Sequence, residues 1–176
     1  IAFTSTIGRK KVDVARAMVA DINPAAQVEA IDEFLLAENV PTFLDAHAGG
    51  ADYVVDAIDT ISAKLAIAQY ADERGLRLIS SMGAANKLRP ECFRVADVYD
   101  TVNCPLCRIM RKEGRKRGIR SLRVLYSCEQ PVDVPVREGA ARRERSNLGT
   151  ASYVPPIMGQ MIAGEVICAL AGIGRA

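Results

Sequence analysis

The sequence predicts an α/β fold, doubly wound and Rossmann-like, built on a mostly parallel sheet. Helix-period and strand-like segments alternate along its first half, an order that implies parallel strands joined by crossover helices. The stretch Asp52-Tyr53-Val54-Val55-Asp56-Ala57-Ile58-Asp59-Thr60 frames an apolar core with acids and runs straight into a helix-forming segment. The length, 176 residues, suits a single domain.

Lys10 to Asp21 places Val12, Ala15, Met18 and Val19 at helical spacing, and Asn23-Pro24 ends that helix. Val28 to Leu35 alternates apolar and acidic residues and reads as a strand exposed on one face. Asn39 to Ala48 reads as a short helix or loop ending at Gly49-Gly50. Tyr53 to Ala57 is expected as a buried strand, and Ser62 to Arg74 as a helix closed by Gly75. Leu76 to Ser80 is the next strand, followed by a Gly83-Ala84-Ala85 loop. After Pro90 the pattern changes to a strand over Cys92 to Val98, a basic helix over Leu106 to Lys116 and a strand over Leu122 to Tyr126. Gln130 to Thr150 is polar with little periodicity and reads as a mobile loop. An apolar helix, Ile157 to Leu170, closes the chain, and no internal repeat is visible.

Hydrophobic residues make up 49% and charged residues 25%, which excludes both a disordered chain and a fibrous one. Cys92, Cys104, Cys107, Cys128 and Cys168 occur without a signal peptide and read as thiols of a reducing, cytoplasmic compartment. Val154 to Ile173 is apolar but contains Pro155, Pro156, Gln160 and Glu165. A central acid costs about 2.5–3.5 kcal/mol on membrane insertion, so a packed helix is expected rather than a span. Ile1 is not an initiator methionine and the first residues read like the middle of an element, so the chain reads as a fragment.

Asp59 falls at the carboxyl end of the expected strand, where open α/β sheets bind ligands. A phosphate-bound metal ion needs an oxygen ligand there. The position also suits the N-cap of the following helix, and a capping carboxylate keeps one oxygen free for a metal.

Arg108, Arg111, Lys112, Arg115, Lys116, Arg117, Arg120 and Arg123 form a dense basic run opposed only by Glu113. Arg108, Arg111, Lys112 and Arg115 share one helical face, a stripe that suits phosphate backbones. A solvated helix face is the plainer use, and the lack of aromatic neighbours argues against base stacking. Arg137, Arg142, Arg143 and Arg145 extend the patch from the polar loop. Cys104-Pro105-Leu106-Cys107 is a C-x-x-C without the second pair that a structural zinc site commonly uses, and the lone histidine, His47, is far off in sequence. Plain thiols, redox or sulfur handling, and a metal site completed by Cys92 and Cys128 all remain open.

Ser5-Thr6-Ile7-Gly8-Arg9-Lys10-Lys11, Asp21-Ile22-Asn23-Pro24, Asp52 to Thr60 and Ile79 to Lys87 occur in an order and spacing that carries a family resemblance. So do Val95-Ala96-Asp97-Val98-Tyr99, Arg117 to Leu122 and Val154-Pro155-Pro156-Ile157. Together they resemble the ThiF/MoeB/HesA family of ATP-dependent adenylating enzymes, relatives of the ubiquitin-activating enzymes, and within it the tRNA threonylcarbamoyladenosine dehydratase branch. The resemblance implies the carboxy-terminal portion of a ubiquitin-activating-enzyme-like domain. Residues 1–90 would complete the nucleotide-binding half, and residues 91–176 would form the substrate and tRNA side, with the 130–150 loop and the final helix.

The resemblance also implies Mg-ATP as cofactor. Lys11 matches the family lysine, although Lys10 stands where many relatives carry proline, and Asp59 matches the magnesium-binding aspartate. Ala57, Ile58, Asp59 and Thr60 would line the nucleotide, and Asn86 and Lys87 would face the adenylate. The family's Gly-rich loop, ribose-binding acid and arginine would precede Ile1. The expected function is adenylation of a carboxylate on tRNA threonylcarbamoyladenosine followed by cyclising dehydration, with this chain inactive alone. Expected partners are tRNA at Arg108, Arg111, Lys112 and Arg115, a second copy in a homodimer, and cysteine desulfurase or sulfur-acceptor proteins. The alternatives are an activator of a sulfur-carrier or ubiquitin-like protein, and a non-enzymatic RNA-binding or scaffold fragment.

Overall fold

A computed structural model describes residues 3–133 and 148–174. The chain divides into two compact units, Ile1–Leu35 and Leu36–Ala176.

In the first unit, Gly8 adopts φ +84° and turns the backbone toward α1 (Lys11–Ile22). Only Gly tolerates that left-handed region without a Cβ penalty. Helical spacing predicts α1 well, but its apolar stripe is thinly covered: Val14 is buried while Met18, Val19 and Ile22 remain exposed. The strand expected over Val28–Leu35 does not form, and the described sheet contains no residue of that segment. From Ala30 onward the apolar and acidic residues come in pairs, which puts both kinds on each face, and a strand also needs a neighbour for its backbone N–H and C=O groups. A side-chain pair, Lys10–Asp32 at 2.7 Å, ties the segment to the start of α1 instead. Exposed on both sides, that pair contributes about 0–1 kcal/mol.

The second unit is a layered α/β structure. Its strands are β1 (Val54–Asp56), β2 (Leu78–Ser81), β3 (Phe93–Asp97) and β4 (Arg123–Ser127), in the order β1-β2-β4-β3. β1, β2 and β4 run parallel, and β3 joins β4 antiparallel at the far edge. Helix α2 (Val40–His47) packs on α3 (Ile61–Arg74), which also meets α4 (Pro105–Lys116). Gly75 closes α3 at φ +65°, as its position predicts.

Strand alternation then assigns the faces. Val55 and Ile79 are register partners on one face, and Asp56 and Ser80 on the other. Ile79, Phe93 and Leu125 form a core with Val154, Met158 and Ile162 of α5 (Val154–Leu170). Burying each of these large apolar side chains stabilises by about 1.5–3 kcal/mol. α5 begins three residues earlier than the periodicity suggests, because Pro155 and Pro156 sit in its first turn, where a missing N–H costs nothing.

The expected buried strand over Tyr53–Ala57 is shorter and less covered. Val55 is 46% exposed, since β1 pairs with β2 alone among the described residues. Residues 134–147, with Arg137, Arg142, Arg143 and Arg145, lie outside the described residues. Among the described residues no helix is long and apolar enough to cross a membrane.

Candidate functional site

Because β1, β2 and β4 are parallel, their carboxyl ends share one edge of the sheet. Asp59 lies three residues beyond β1, exposed, and its carboxylate has no hydrogen-bond partner among the described residues. It does not cap α3: the N-cap is Thr60, and that side chain makes no capping bond either. The first amides of a 14-residue helix therefore open onto the edge without a side-chain acceptor, beside a carboxylate. Ala57 is exposed, and Ile58 and Thr60 are half-buried. In the first unit, Lys11 is the first residue of α1, exposed and just past the Gly8 turn.

A buried polar cluster underlies the Asp59 loop. Lys64 Nζ donates to Asp56 Oδ2 at 2.9 Å and to Ser80 Oγ at 3.1 Å, while Ser80 Oγ donates to Asp56 Oδ2 at 2.5 Å. Both charged side chains are 1% exposed. The β1–β2 register makes this meeting possible by setting Asp56 beside Ser80. Burial pushes the Lys64 ammonium below its ordinary pKa, and the Asp56 carboxylate opposes the shift. The other oxygen, Asp56 Oδ1, accepts Ile58 N–H at 3.2 Å. The cluster thus holds the backbone that presents Asp59. Sequence reading passed over Lys64, whose one signal is a lysine inside the apolar run Ala63 to Ala68.

Asn86 and Lys87 follow β2 at the same edge but are committed to the protein. Lys87 is 2% exposed and its Nζ donates to the Glu129 carbonyl, so it does not face a ligand as expected. Asn86, at φ +56°, accepts from Gly149 N–H through Oδ1 and from Val132 N–H through its carbonyl. The Glu129 carboxylate accepts from the backbone N–H groups of Leu88 and Arg89, each at 3.0 Å. These bonds lock together the strand ends of β2 and β4. Backbone bonding of this kind leaves no sequence pattern.

The basic run divides in the same way. Arg111 donates to the Thr101 carbonyl at 2.8 Å and to Thr101 Oγ1, and is half-buried rather than part of a solvated stripe. Lys116 pairs with Glu113, Arg120 with Asp72 and Arg123 with Glu165. Arg108, Lys112 and Arg115 remain exposed along one face of α4, with the Arg115 guanidinium 5.0 Å over the Tyr99 ring. Cys104 is the N-cap of α4 and Cys107 is buried in its first turn.

The ThiF family matches residues 1–176. A tRNA threonylcarbamoyladenosine dehydratase of Bacillus subtilis is 36% identical over 175 residues, covering 94% of this chain and 68% of that protein. This chain belongs to the ThiF family. The dehydratase of Haemophilus influenzae is 34% identical and covers 94% of this chain and 67% of its own length. Dehydratase 2 of Saccharomyces cerevisiae is 34% identical, but the match spans only 29% of that protein. Among solved structures, the Escherichia coli tRNA N6-threonylcarbamoyladenosine dehydratase in complex with AMP superposes with a TM-score of 0.72 at 24% identity, over 94% of this chain and 69% of that one. The likeness to that structure extends to the fold. For a ThiF-family chain, the carboxyl edge carrying Asp59 sits at the position where open α/β sheets take ligands.

Among the described residues, no three or more His, Cys, Asp or Glu side chains gather into a metal-binding group. A single exposed carboxylate still fits magnesium, which holds few protein ligands and keeps phosphate oxygens and waters for the rest. It fits zinc or calcium poorly.

Proposed function

We propose that this chain supplies part of an ATP-dependent adenylating dehydratase acting on tRNA threonylcarbamoyladenosine. The observation that carries the reading is the exposed Asp59 carboxylate beside the uncapped start of α3, at the carboxyl edge of a parallel sheet. The names and identities of the bacterial relatives support the substrate, and the family match supports adenylation.

In this reading Asp59 holds magnesium, and Ala57, Ile58 and Thr60 line the nucleotide. Bound there, the metal offsets charge on the phosphates. Lys11 neutralises further charge as the substrate carboxylate joins the α-phosphate and pyrophosphate leaves. The α3 amides favour an anion at the same edge. The activated carbonyl is then attacked from within the same substrate, closing the ring with loss of AMP. Intramolecular attack draws its rate from orientation, so no protein nucleophile is required. Arg108, Lys112 and Arg115 supply tRNA phosphate contacts, and the protein works in the cytoplasm. A homodimer belongs to the reading as well. The apolar groove between β1 and α5, lined by Val55, Ala57, Ile162, Val166 and Ile167, supports it.

The 176 residues contain no Gly-x-Gly-x-x-Gly phosphate loop. Isothermal titration of this chain with Mg-ATP is expected to give a Kd well above micromolar, and micromolar binding contradicts the reading. Joining the part of the Bacillus subtilis relative that this chain does not match to this chain should give AMP release on modified tRNA. Asp59→Asn in that chimera should then lower the rate by about 100-fold or more, the scale of removing one charge-stabilising group. An unchanged rate removes Asp59 from the reaction.

A further inference from the structure

Proposed adenylation leaves one motif unused. Cys104 ends an extended approach (φ −113°, ψ 114°) and caps α4, its Sγ accepting the Cys107 backbone N–H at 3.5 Å. The Cys107 side chain is the neighbour that most favours the Cys104 thiolate. Residues three apart on a helix hold their Cβ atoms about 5–6 Å apart, somewhat wider than the roughly 3.5–4.5 Å that a disulfide needs. Cys104 lies outside the helix proper, so its backbone is free of the helical constraint that would hold the pair apart.

A cavity of about 260 Å³ opens onto Cys104. It is lined by Asn103, Pro105, Arg108, Arg111, Gln130 and Pro131 besides the cysteine. Two guanidinium groups and no carboxylate line it, a charge balance that suits a small anion. Lys87 adds positive charge on the Cys104 side, and Thr101 and Arg111 face Cys107. Cys104 is 5% exposed and lines the cavity, whereas Cys107 is fully buried and does not. An outer thiol at a helix N-terminus backed by an inner resolving thiol is an arrangement for exchange.

We propose that Cys104 and Cys107 form a reversible dithiol–disulfide couple that exchanges with a small anionic disulfide of the glutathione class bound at the arginine-lined cavity. The Cys104 thiolate attacks one sulfur of the bound disulfide. That S–S bond breaks, and the leaving sulfur takes the electron pair. Cys107 passes its proton to the departing thiolate and attacks Cys104 Sγ. The second small thiolate leaves with that bond's electron pair and takes up from solvent the proton that Cys104 gave up on ionising. Two protein thiols are oxidised to one disulfide and one small disulfide is reduced to two thiols, so electrons and protons balance. The Cys107 side chain and the backbone N–H groups of Cys107 and Leu106 hold the Cys104 thiol below the ordinary thiol range, while the neighbouring Cys104 and burial push Cys107 far up.

The whole chain, equilibrated in glutathione–glutathione disulfide buffers, tests this by intact mass and peptide mapping. The expected product has lost two hydrogens, with the bond between Cys104 and Cys107. Cys92 and Cys128 are also neighbours, the Cys128 backbone N–H donating to the Cys92 carbonyl at 3.0 Å, so Cys92→Ser/Cys128→Ser is the control and should oxidise unchanged. Cys107→Ser should accumulate a glutathione adduct on Cys104, whereas Cys104→Ser should leave Cys107 unmodified. Iodoacetamide labelling of the unmutated protein needs no variant to fold. Its rate at Cys104 should rise with a midpoint below the roughly pH 8.5 of an ordinary thiol. A mapped bond elsewhere, no Cys104 adduct in Cys107→Ser, or an ordinary labelling midpoint overturns the proposal.

Discussion

Asp56 and Asp59 stand three residues apart in one acidic frame, yet the fold gives them opposite environments. Asp59 projects from a loop at the sheet edge, whereas Asp56 is sealed under α3 with Lys64 and Ser80. Strand parity separates them: Asp56 ends β1 on the face that meets α3, and Asp59 lies past the last paired residue. Taking away one partner of a buried pair leaves an unpaired charge, which costs about 3–5 kcal/mol, whereas removing both is often near neutral. Asp56→Ala should therefore lower the urea midpoint strongly, and Asp56→Leu with Lys64→Met should recover most of the loss. Equal loss in the single and double variants would show that the pair is not the source of the stability. The placement of Asp59 was legible because an apolar run pointed to a strand end. That of Lys64 was not, since one lysine in a helix does not reveal which strand residue lies beneath it.

Helix α4 shows how far charge spacing can be read. Its basic stripe lies where the sequence places it, and Cys107, Met110 and Gly114 face the interior at helical spacing. The stripe nevertheless contains two kinds of residue. Arg111 bonds inward to Thr101, while Arg108, Lys112 and Arg115 face solvent. Joint reversal of Arg108, Lys112 and Arg115 to Glu in the chimera should weaken tRNA binding and lower the slope of log affinity against log salt by roughly one for each phosphate no longer neutralised. Filter binding across a salt series checks this, and an unaltered slope removes α4 from the tRNA surface. Arg111→Ala should instead destabilise by about 1.5–3 kcal/mol through the missing charged hydrogen bonds, seen in urea unfolding. Val28–Leu35 marks the opposite limit. Its apolar and acidic residues fall in doublets after Glu29 (Ala30-Ile31, Asp32-Glu33, Phe34-Leu35), not at the period of two a strand face needs, and no described strand pairs with it.

Across the whole molecule, the exposed side of β1 and the groove against α5 form an apolar surface with Val55 and Ile167 uncovered. If that groove is the homodimer contact of the proposed function, Val55→Asp with Ile167→Asp should shift sedimentation from dimer to monomer while far-UV circular dichroism stays unchanged. A wild-type chain that sediments as a monomer at every concentration excludes the contact. By itself the sequence determined the α/β class, four of the helices to within about one turn, the Gly75 stop and the position of Asp59. Each of these rests on local periodicity, backbone preference or a motif whose residues are neighbours in the chain. Only the tertiary structure decided that β3 runs antiparallel at the far edge and that Lys64 meets Asp56. It also decided that Lys87 and Arg111 turn inward, and that Cys104 opens on an arginine-lined cavity. Those outcomes depend on strand pairing and on packing between segments far apart in sequence, and such partners are brought together by folding.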